Sequence, residues 1–322
     1  MKLVAASTGL LPPSGETTDP DEIRQAAVRL QLDAGLDTVA AGQTDWETLL
    51  AHPLSVHPAT RPGDPRPYLD TARTYRPPVV TGDLGDDGAT AADRQATVAA
   101  ELDAAAAALE SVGENPGDRL QAVLSGPYTL AALARDDHYG DRDEFLDAVA
   151  AFLAAEIQQF PELATLWLLE PALVSAPPAD GLDERASAAI DRVTRATAVP
   201  VVVHAPGGAM TEKVHAHLLD ADVTAVGYDF VADHEANRSL VAEFGTKRDL
   251  ALGLVDARDP AVESAETVRE RIDWVLDALP PAMAFDTVSV APNDGLFRLP
   301  PDAVVGKLRA LAGGVERWRA VE

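Results

Sequence analysis

The sequence contains no cysteine and only four lysines, and these shortages limit its chemistry. Without cysteine the chain forms no disulfide, offers no thiolate nucleophile and cannot bind zinc through sulfur. No apolar run approaches the ~20 residues that cross a bilayer, and no secretory hydrophobic region follows Met1. We therefore expect a soluble, cytoplasmic protein.

Acidic residues outnumber basic residues two to one. Asp and Glu total 52 and Lys and Arg total 26, which gives a net charge of −26. Repulsion between this charge and phosphate argues against nucleic acids and anionic membranes as partners. The balance is typical of a halophilic protein, in which acidic residues replace lysine; an acidic surface for a basic partner is the alternative.

Short apolar runs alternate with long amphipathic runs, the pattern of βα units around a parallel sheet. The predicted strands are Lys2–Ala6, Asp37–Ala41, Leu120–Ser125, Ala164–Leu169, Pro200–His204, Asp222–Tyr228, Asp249–Val255 and Asp286–Ala291. The predicted helices are Pro20–Ala34, Ala91–Ser111, Arg142–Gln159, Asp183–Ala196, Thr211–Leu219, Asp233–Phe244, Ala265–Leu279 and Pro301–Ala312. This alternation predicts an α/β fold, a (β/α)8 TIM barrel that forms a single domain over residues 1–322.

A proline-rich segment interrupts the alternation after the second strand. It covers about residues 43–90 and includes Arg76-Pro77-Pro78 followed by Val79-Val80-Thr81-Gly82, which indicates an insertion that contains a hairpin. Insertions at the carboxyl end of a barrel strand lie over the active-site face.

Polar residues stand where the predicted strands end. These ends converge on one mouth of a barrel, so a polar cluster there predicts a binding pocket. The residues are Ser7, Gln43, Ser125, Glu170, His204, Asp229, Asp256, Asn293 and Asp294. No phosphate-binding loop, Gly-x-Ser-x-Gly elbow or dinucleotide fingerprint is present, so nucleotide-binding, hydrolase and dehydrogenase functions lose their main support.

Several of these residues could instead have a purely structural role. His204 is a candidate metal ligand or acid–base group, or else a hydrogen-bonded core histidine. Glu170 is a candidate catalytic carboxylate, or else an acceptor of backbone N–H groups. Asp229 and Asp256 are candidate binding residues or helix N-caps, and Asp294 is a candidate site residue or part of a turn.

Two further histidines give a weaker signal. His215 and His217 lie two residues apart on a predicted helix, so they point in different directions and cannot chelate a metal from one face. We expect both at the surface.

Seven motifs in order along the chain resemble the cobalamin-independent methionine synthases, especially the single-barrel members. The motifs are Ser7–Pro12, Gly35–Gln43, Arg76–Asp83, Ser125–Ala131, Trp167–Leu173, Gly253–Asp256 with Val262–Ser264, and Ala291–Leu296. The resemblance implies a (β/α)8 barrel and a family reaction in which a zinc-activated homocysteine takes a methyl group from 5-methyltetrahydrofolate or a related pterin.

The same resemblance implies that the zinc site is depleted. The family's histidine ligand falls on His204, but its first cysteine falls on Pro206, its glutamate on or near Gly227, and its last cysteine on Asp294. A zinc site needs three or four well-placed donors, and proline offers none. We therefore expect no zinc.

The amino-acid pocket implied by the resemblance has changed as well. Leu10 stands in place of a serine, Gln43 in place of a glutamate and Leu169 in place of an aspartate. A buried ammonium group needs a carboxylate to offset its desolvation, so these changes argue against homocysteine binding in the family's manner.

These observations favour a zinc-less accessory barrel that binds the pterin beside a zinc-bearing paralogue. In this respect the chain resembles the amino-terminal barrel of the family's long form. The alternatives are an autonomous methyltransferase with a degenerate site of His204, Asp229 and Asp294, or a barrel repurposed for another thiol or a corrinoid donor. The candidate catalytic residues are His204, Glu170 and Asp294. The candidate substrate- or pterin-binding residues are Arg76, Tyr128, Gln43, Asp229 and Asp256.

Overall fold

The structure, a computed structural model, describes residues 1–12, 19–44, 46–69, 73–85, 98–179, 181–280 and 283–321. Eight parallel strands form its main sheet. They are β1 (Lys2–Ala5), β2 (Val39–Ala40), β3 (Leu120–Ser125), β4 (Thr165–Leu169), β5 (Val201–Ala205), β6 (Ala225–Asp229), β7 (Asp249–Val255) and β8 (Thr287–Pro292). The predicted (β/α)8 TIM barrel is confirmed.

The strands follow one another around the barrel in the order β1, β8, β7, β6, β5, β4, β3, β2. Residue Asp37 joins the two end strands. Its backbone N–H donates to the Ala5 carbonyl over 2.9 Å, and its carboxylate accepts from the Ala5 N–H over 2.7 Å. The same carboxylate pairs with Arg319 at 2.6 Å, so the last helix is tied to the point where the sheet closes.

Eight longer helices among the described residues cover the outside of the sheet. They are α1 (Pro20–Asp33), α2 (Val98–Ser111), α3 (Arg142–Ile157), α4 (Leu182–Thr194), α5 (Glu212–Asp220), α6 (His234–Phe244), α7 (Ala265–Ala278) and α8 (Pro301–Arg319). Shorter helical turns lie at Leu49–Ala51, His52–Ser55, Pro116–Arg119, Pro127–Leu133 and Ala172–Ser175. Residues 91–97, the first part of the predicted helix Ala91–Ser111, lie outside the described residues.

Helix α8 extends to Arg319, so its predicted end at Ala312 is wrong. The prediction ended the helix before Gly313 and Gly314. The structure shows instead that these glycines let two helices approach closely, because a Cβ atom on Gly314 would lie 2.7 Å from the Cβ of Val268 in α7. The glycine pair is a packing feature and not a helix terminator.

The segment after β2 contains the predicted hairpin. Thr60–Pro62 pairs antiparallel with Pro78–Val80, and Arg66–Pro67 pairs antiparallel with Thr74–Tyr75 inside it. Pro78–Val80 also pairs with Arg135–Asp136, beyond β3, which attaches the insertion to the barrel. Residues 45, 70–72 and 86–90 of the predicted insertion lie outside the described residues.

Candidate functional site

One layer of inward-facing residues forms the floor of the mouth. The strand register places Ser125, Leu169, His204 and Gly227 side by side on β3, β4, β5 and β6. Residues paired across parallel strands face the same side of the sheet, so these four positions face the barrel interior together. The structure therefore brings His204 to the mouth, as predicted.

His204 is buried and its ring is fixed on one side. Its Nε2 lies 2.9 Å from the carbonyl oxygen of Asn293. A carbonyl oxygen only accepts, so Nε2 carries a proton and donates, which leaves Nδ1 as an acceptor in the neutral ring. Nδ1 has no hydrogen-bond partner among the described residues. A Cβ atom on Gly227 would lie 2.5 Å from this nitrogen, so glycine at that position makes room for the ring.

Asn293 connects three parts of the mouth. Its side-chain amide donates to both carboxylate oxygens of Asp229, over 3.0 and 3.1 Å. Its side-chain oxygen accepts from the Ala257 N–H over 2.8 Å, and its backbone oxygen holds His204. The sequence placed Asn293 at a strand end but gave it no role. Its neighbours could not be read from the sequence because they come from three other strand ends.

Asp229 is also fully engaged. Besides Asn293, its carboxylate accepts from the backbone N–H groups of Gly207, Val231 and Ala232, over 2.9, 3.1 and 2.8 Å. This pattern belongs to a residue that holds loops together at the ends of β5, β6 and β8. Its role in ligand binding stays a prediction.

Asp256 occupies a turn at the end of β7. Its Oδ1 accepts from the backbone N–H groups of Arg258 and Asp259, over 2.8 and 3.3 Å, which is a capping arrangement. The capping alternative therefore describes its contacts, and a pterin-binding role stays a prediction.

Asp294 lies between two cations beneath the insertion. Its Oδ1 accepts from the Gly295 N–H over 2.8 Å, and its Oδ2 lies 3.8 Å from both Arg258 and Arg298. Burial raises the pKa of this carboxyl, while the two guanidinium groups act in the opposite direction. Tyr68 of the insertion is buried close by, and its pKa is raised mainly by burial and next by the charge of Asp294.

Glu170 holds the turn that follows β3. Its Oε1 accepts from the Tyr128 N–H over 3.0 Å, and its Oε2 accepts from the Thr129 N–H over 2.7 Å. Burial raises its pKa to about 7, although the hydrogen bonds from Thr129 and Tyr128 lower it. A Cβ atom on Gly126 would lie 2.1 Å from Oε1, so glycine is required where the turn passes the carboxylate. These contacts match the alternative in which Glu170 accepts backbone N–H groups, and its catalytic role stays a prediction.

Two residues near the start of the chain close another part of the mouth. Gln43 accepts from the Leu10 N–H over 3.1 Å and donates to the Val123 carbonyl over 3.4 Å. Both Gln43 and Leu10 have positive φ, at 47° and 50°, a strained conformation for side chains of this size. Leu10 is buried, and a Cβ atom on Gly295 would lie 2.8 Å from it. An apolar side chain thus packs beside the Asp294 turn.

The two remaining predicted residues are placed differently. Tyr128 is buried and its hydroxyl donates to the Ala176 carbonyl over 2.7 Å. Arg76 is exposed on the insertion, where Nη1 donates to the Gly63 carbonyl over 3.2 Å. It lines a surface groove of about 560 Å³ with His52, Arg61 and other residues of the insertion, and none of the residues around His204 lines that groove.

The expectation that His215 lies at the surface is wrong. His215 is fully buried, and its Nε2 lies 2.8 Å from the hydroxyl of Tyr228, which in turn donates to Thr246. Burial lowers the pKa of His215 to about 4. His217 remains partly exposed, 3.7 Å from Asp183. Spacing on the helix showed that the two histidines diverge, but not which of them faces the sheet.

The donors at the mouth do not fit a zinc ion. Among the residues that the structure describes, no group of three or more His, Asp or Glu side chains is arranged to hold a metal. At the positions that the resemblance aligns with zinc ligands, His204 is hydrogen-bonded to a carbonyl, Pro206 and Gly227 offer no side-chain donor, and Asp294 lies between two arginines. We therefore derive no chemical step through zinc.

The fold is that of a TIM barrel with a polar cluster at the carboxyl ends of its strands. Residues 16–313 match the family model described as the cobalamin-independent synthase catalytic domain, and the chain belongs to this family. In the part of the chain that the structure describes, no helix is long and apolar enough to cross a membrane.

Individual relatives are distant. The methionine synthase of Pyrococcus horikoshii is 23% identical over 204 residues, which cover 61% of this chain and 56% of the relative. That of Pyrococcus furiosus is 26% identical over 176 residues, covering 54% and 49%. The matches thus span about half the length of these curated relatives. A B12-independent methionine synthase from a Shewanella species, solved with selenomethionine, has a TM-score of 0.79 and 18% identity, covering 100% of this chain and 99% of that one, which supports the fold.

Proposed function

We propose that this chain, as a single barrel domain, is a zinc-independent accessory member of its family. It would bind 5-methyltetrahydrofolate or a related pterin and act with a zinc-bearing paralogue that transfers the methyl group to homocysteine in methionine biosynthesis. The donor set at the mouth carries this proposal. Zinc sites use three or four donors, whereas here His204 is the one clear donor and its Nε2 proton is held by Asn293.

The insertion supports the pterin part of the proposal. The guanidinium of Arg76 has no ion-pair partner among the described residues, and Arg76 lines a groove together with Arg61, His52 and one acid, Glu47. A folate-type pterin carries a glutamate tail, so its carboxylates would pair with Arg76. Tyr128, Gln43 and Asp229 would shape the mouth through the loops that they hold, because their polar atoms already have partners.

Autonomous methyl transfer at a degenerate metal site has less support. It would require His204, Asp229 and Asp294 to share one ion. The carboxylate of Asp229 already accepts from three backbone N–H groups and from Asn293, and those bonds would have to break.

A barrel repurposed for another thiol or a corrinoid donor is a second candidate, favoured by one observation. The hydroxyl of Ser125 and Nδ1 of His204 are buried, face the interior from the same layer and have no partner among the described residues. Buried polar atoms without partners are costly, so a small ligand that satisfied both would be stabilised there.

Purified protein, kept in a high-salt buffer, would be tested for zinc content, for pterin binding and for methionine formation alone and with a zinc-bearing paralogue. We expect no stoichiometric zinc, saturable binding of 5-methyltetrahydrofolate and stimulation of the paralogue. Arg76→Gln should weaken pterin binding about tenfold, the loss expected for one charge-assisted contact. Arg195→Gln, which alters an exposed arginine directly after α4, is the control. Stoichiometric zinc with activity from the chain alone would exclude the accessory role.

A further inference from the structure

A cavity of about 390 Å³ opens at the amino-terminal end of the barrel, opposite the mouth described above. Its volume falls within the range of about 300–1,000 Å³ typical of small-molecule sites. Bulky branched side chains usually fill barrel interiors. Here small residues of three strands face the interior at this end, namely Thr165 on β4, Ala225 on β6, and Thr287 and Ser289 on β8, and the interior stays open.

The wall of this cavity presents polar atoms that the protein does not use. The hydroxyls of Thr287 and Ser289 make no hydrogen bond with any described residue, and both side chains are only partly buried because they face the cavity. Asp249 is 9% exposed, and its Oδ1 accepts from the Thr287 N–H over 3.1 Å. Oδ1 also lies 3.9 Å from Nε of the exposed Arg248, and the second carboxylate oxygen has no hydrogen-bond partner within the described ranges.

Lys2 supplies a positive charge on the same wall. Three of the four lysines in the chain have structural partners: Lys307 binds Glu263, Lys247 binds two carbonyls and Lys213 binds Asp183. The ammonium of Lys2 contacts no acceptor among the residues described, and Lys2 lines the cavity. Among the residues that the structure describes, this is the lysine whose charge has no structural partner.

The strand register places Lys2 and Asp249 on either side of Thr287. Lys2 on β1 is paired with Thr287 on β8, and Asp249 precedes the Leu250–Val288 pair, so it lies beside Thr287 on β7. The backbones of β1 and β7 are therefore two strand spacings apart, about 10 Å. The other charged residues that line this end have partners: Asp37 binds Arg319, Arg119 lies 3.4 Å from Glu114, and Asp118 accepts from the side-chain amide of Asn115 over 2.9 Å.

We propose that this cavity binds a small zwitterion whose ammonium group meets Asp249 and whose carboxylate meets Lys2. The methylene groups between these charges would contact Val4, Val202 and Ala225 on the apolar part of the wall. A purely apolar ligand would leave the hydroxyls of Thr287 and Ser289 unpaired. A ligand with a single charge would leave Lys2 unpaired, or would leave Asp249 with only the distant guanidinium of the exposed Arg248.

The test uses 4-aminobutyrate as the probe, with butyrate and butylamine as controls of the same length. Calorimetry or NMR titration of the full chain, at constant ionic strength, should show saturable binding of 4-aminobutyrate about tenfold tighter than either control. Lys2→Gln and Asp249→Asn should each weaken binding of 4-aminobutyrate about tenfold, as expected for loss of one charged contact. Asp222→Asn is the matched control, because Asp222 precedes β6 at the same end of the barrel, is exposed and does not line the cavity.

Two further variants separate binding from folding. Ser289→Leu fills the cavity and should abolish binding, and its thermal midpoint shows whether the fold persists. Thr287→Val keeps the volume but removes the hydroxyl, and it should weaken binding by a few-fold if one neutral hydrogen bond is lost. Absence of saturable binding, equal affinity for the three probes, or undiminished binding in a folded Ser289→Leu variant would each overturn the proposal.

Discussion

Replacement of the buried Lys307 by methionine should destabilise the barrel strongly. Lys307 is fully buried in α8, and its ammonium donates to the Ala261 carbonyl over 2.5 Å and to the Glu263 carboxylate over 2.7 Å. The second oxygen of Glu263 accepts from the Asp256 N–H over 2.8 Å and lies 3.5 Å from Arg271. Without the ammonium, the nearly buried carboxylate of Glu263 keeps only the distant guanidinium of Arg271, and the Ala261 carbonyl loses its donor.

Breaking a buried ion pair costs about 3–5 kcal/mol. Because Arg271 remains near Glu263, we expect the lower end, about 3 kcal/mol, which is a large part of the roughly 5–15 kcal/mol that stabilises a folded protein. The corresponding fall in the thermal midpoint is about 4–5 °C, since an unfolding entropy of about 2.1 cal/mol/K per residue makes 1 kcal/mol worth about 1.5 °C in a chain of 322 residues.

Denaturant unfolding of three variants checks this reasoning. Lys307→Met should lose about 3 kcal/mol, and the double variant Lys307→Met with Glu263→Gln should recover about half of that loss because no buried charge is left unpaired. Arg248→Met removes one positive charge from an arginine that is 69% exposed, and it should cost less than about 1 kcal/mol. A loss in Lys307→Met no larger than that of Arg248→Met, or strictly additive losses in the double variant, would refute the argument.

Four further predictions concern titration, packing and salt. Burial raises the pKa of Glu170 to about 7 in the folded protein, so its contribution to stability should be complete below pH 4.5 and be lost as pH rises through 7, and Glu170→Gln should remove this slope in unfolding experiments. Burial lowers the pKa of His215 to about 4, so stability should instead be lost as pH falls from 6.5 towards 4. His215→Phe should remove this pH dependence. An unchanged pH dependence of stability in either the Glu170 or the His215 variant would contradict the assignment. Gly227→Ala should cost about 1–3 kcal/mol in chemical denaturation because its Cβ would overlap His204. Gly82→Ala should cost less, because its Cβ would only touch the Cβ of Ala59 at 3.5 Å. The unfolding free energy should rise with KCl concentration because salt screens repulsion within a chain of net charge −26, and a flat salt dependence would argue against halophilic adaptation.

The strands were the most predictable part of the fold. Leu120–Ser125 and Asp249–Val255 have the predicted bounds because strands buried on both faces are continuous apolar runs that the sequence displays directly. The end of α8 was not predictable, because the same glycine pair that ends many helices here packs against α7. His215 was misplaced for a related reason, since helical spacing gives relative directions and not which face meets the sheet.

The positions of the site residues could be predicted, but their partners could not. The chain alternation placed Glu170, His204 and Asp229 at strand ends, where the structure has them. Their roles depend on which groups they contact, and those groups are distant in sequence: Asn293 binds Asp229 across 64 positions and His204 across 89. What a polar residue at a barrel mouth can do depends on the partners that hold it, and sequence spacing carries no information about those partners.

The contacts around His204 give a physical reason why this mouth differs from a zinc site. Gly227 opens the space that Nδ1 of His204 occupies, and Asn293 fixes Nε2 while its amide binds Asp229. A carboxylate side chain at position 227 would have to displace the histidine ring, and a metal at Nε2 would have to displace the Asn293 carbonyl. Introducing one metal-binding side chain at position 227 would therefore destabilise the site before it created a metal ligand. His204, Gly227, Asn293 and Asp229 thus form one packed unit, in which a change at one residue affects the others.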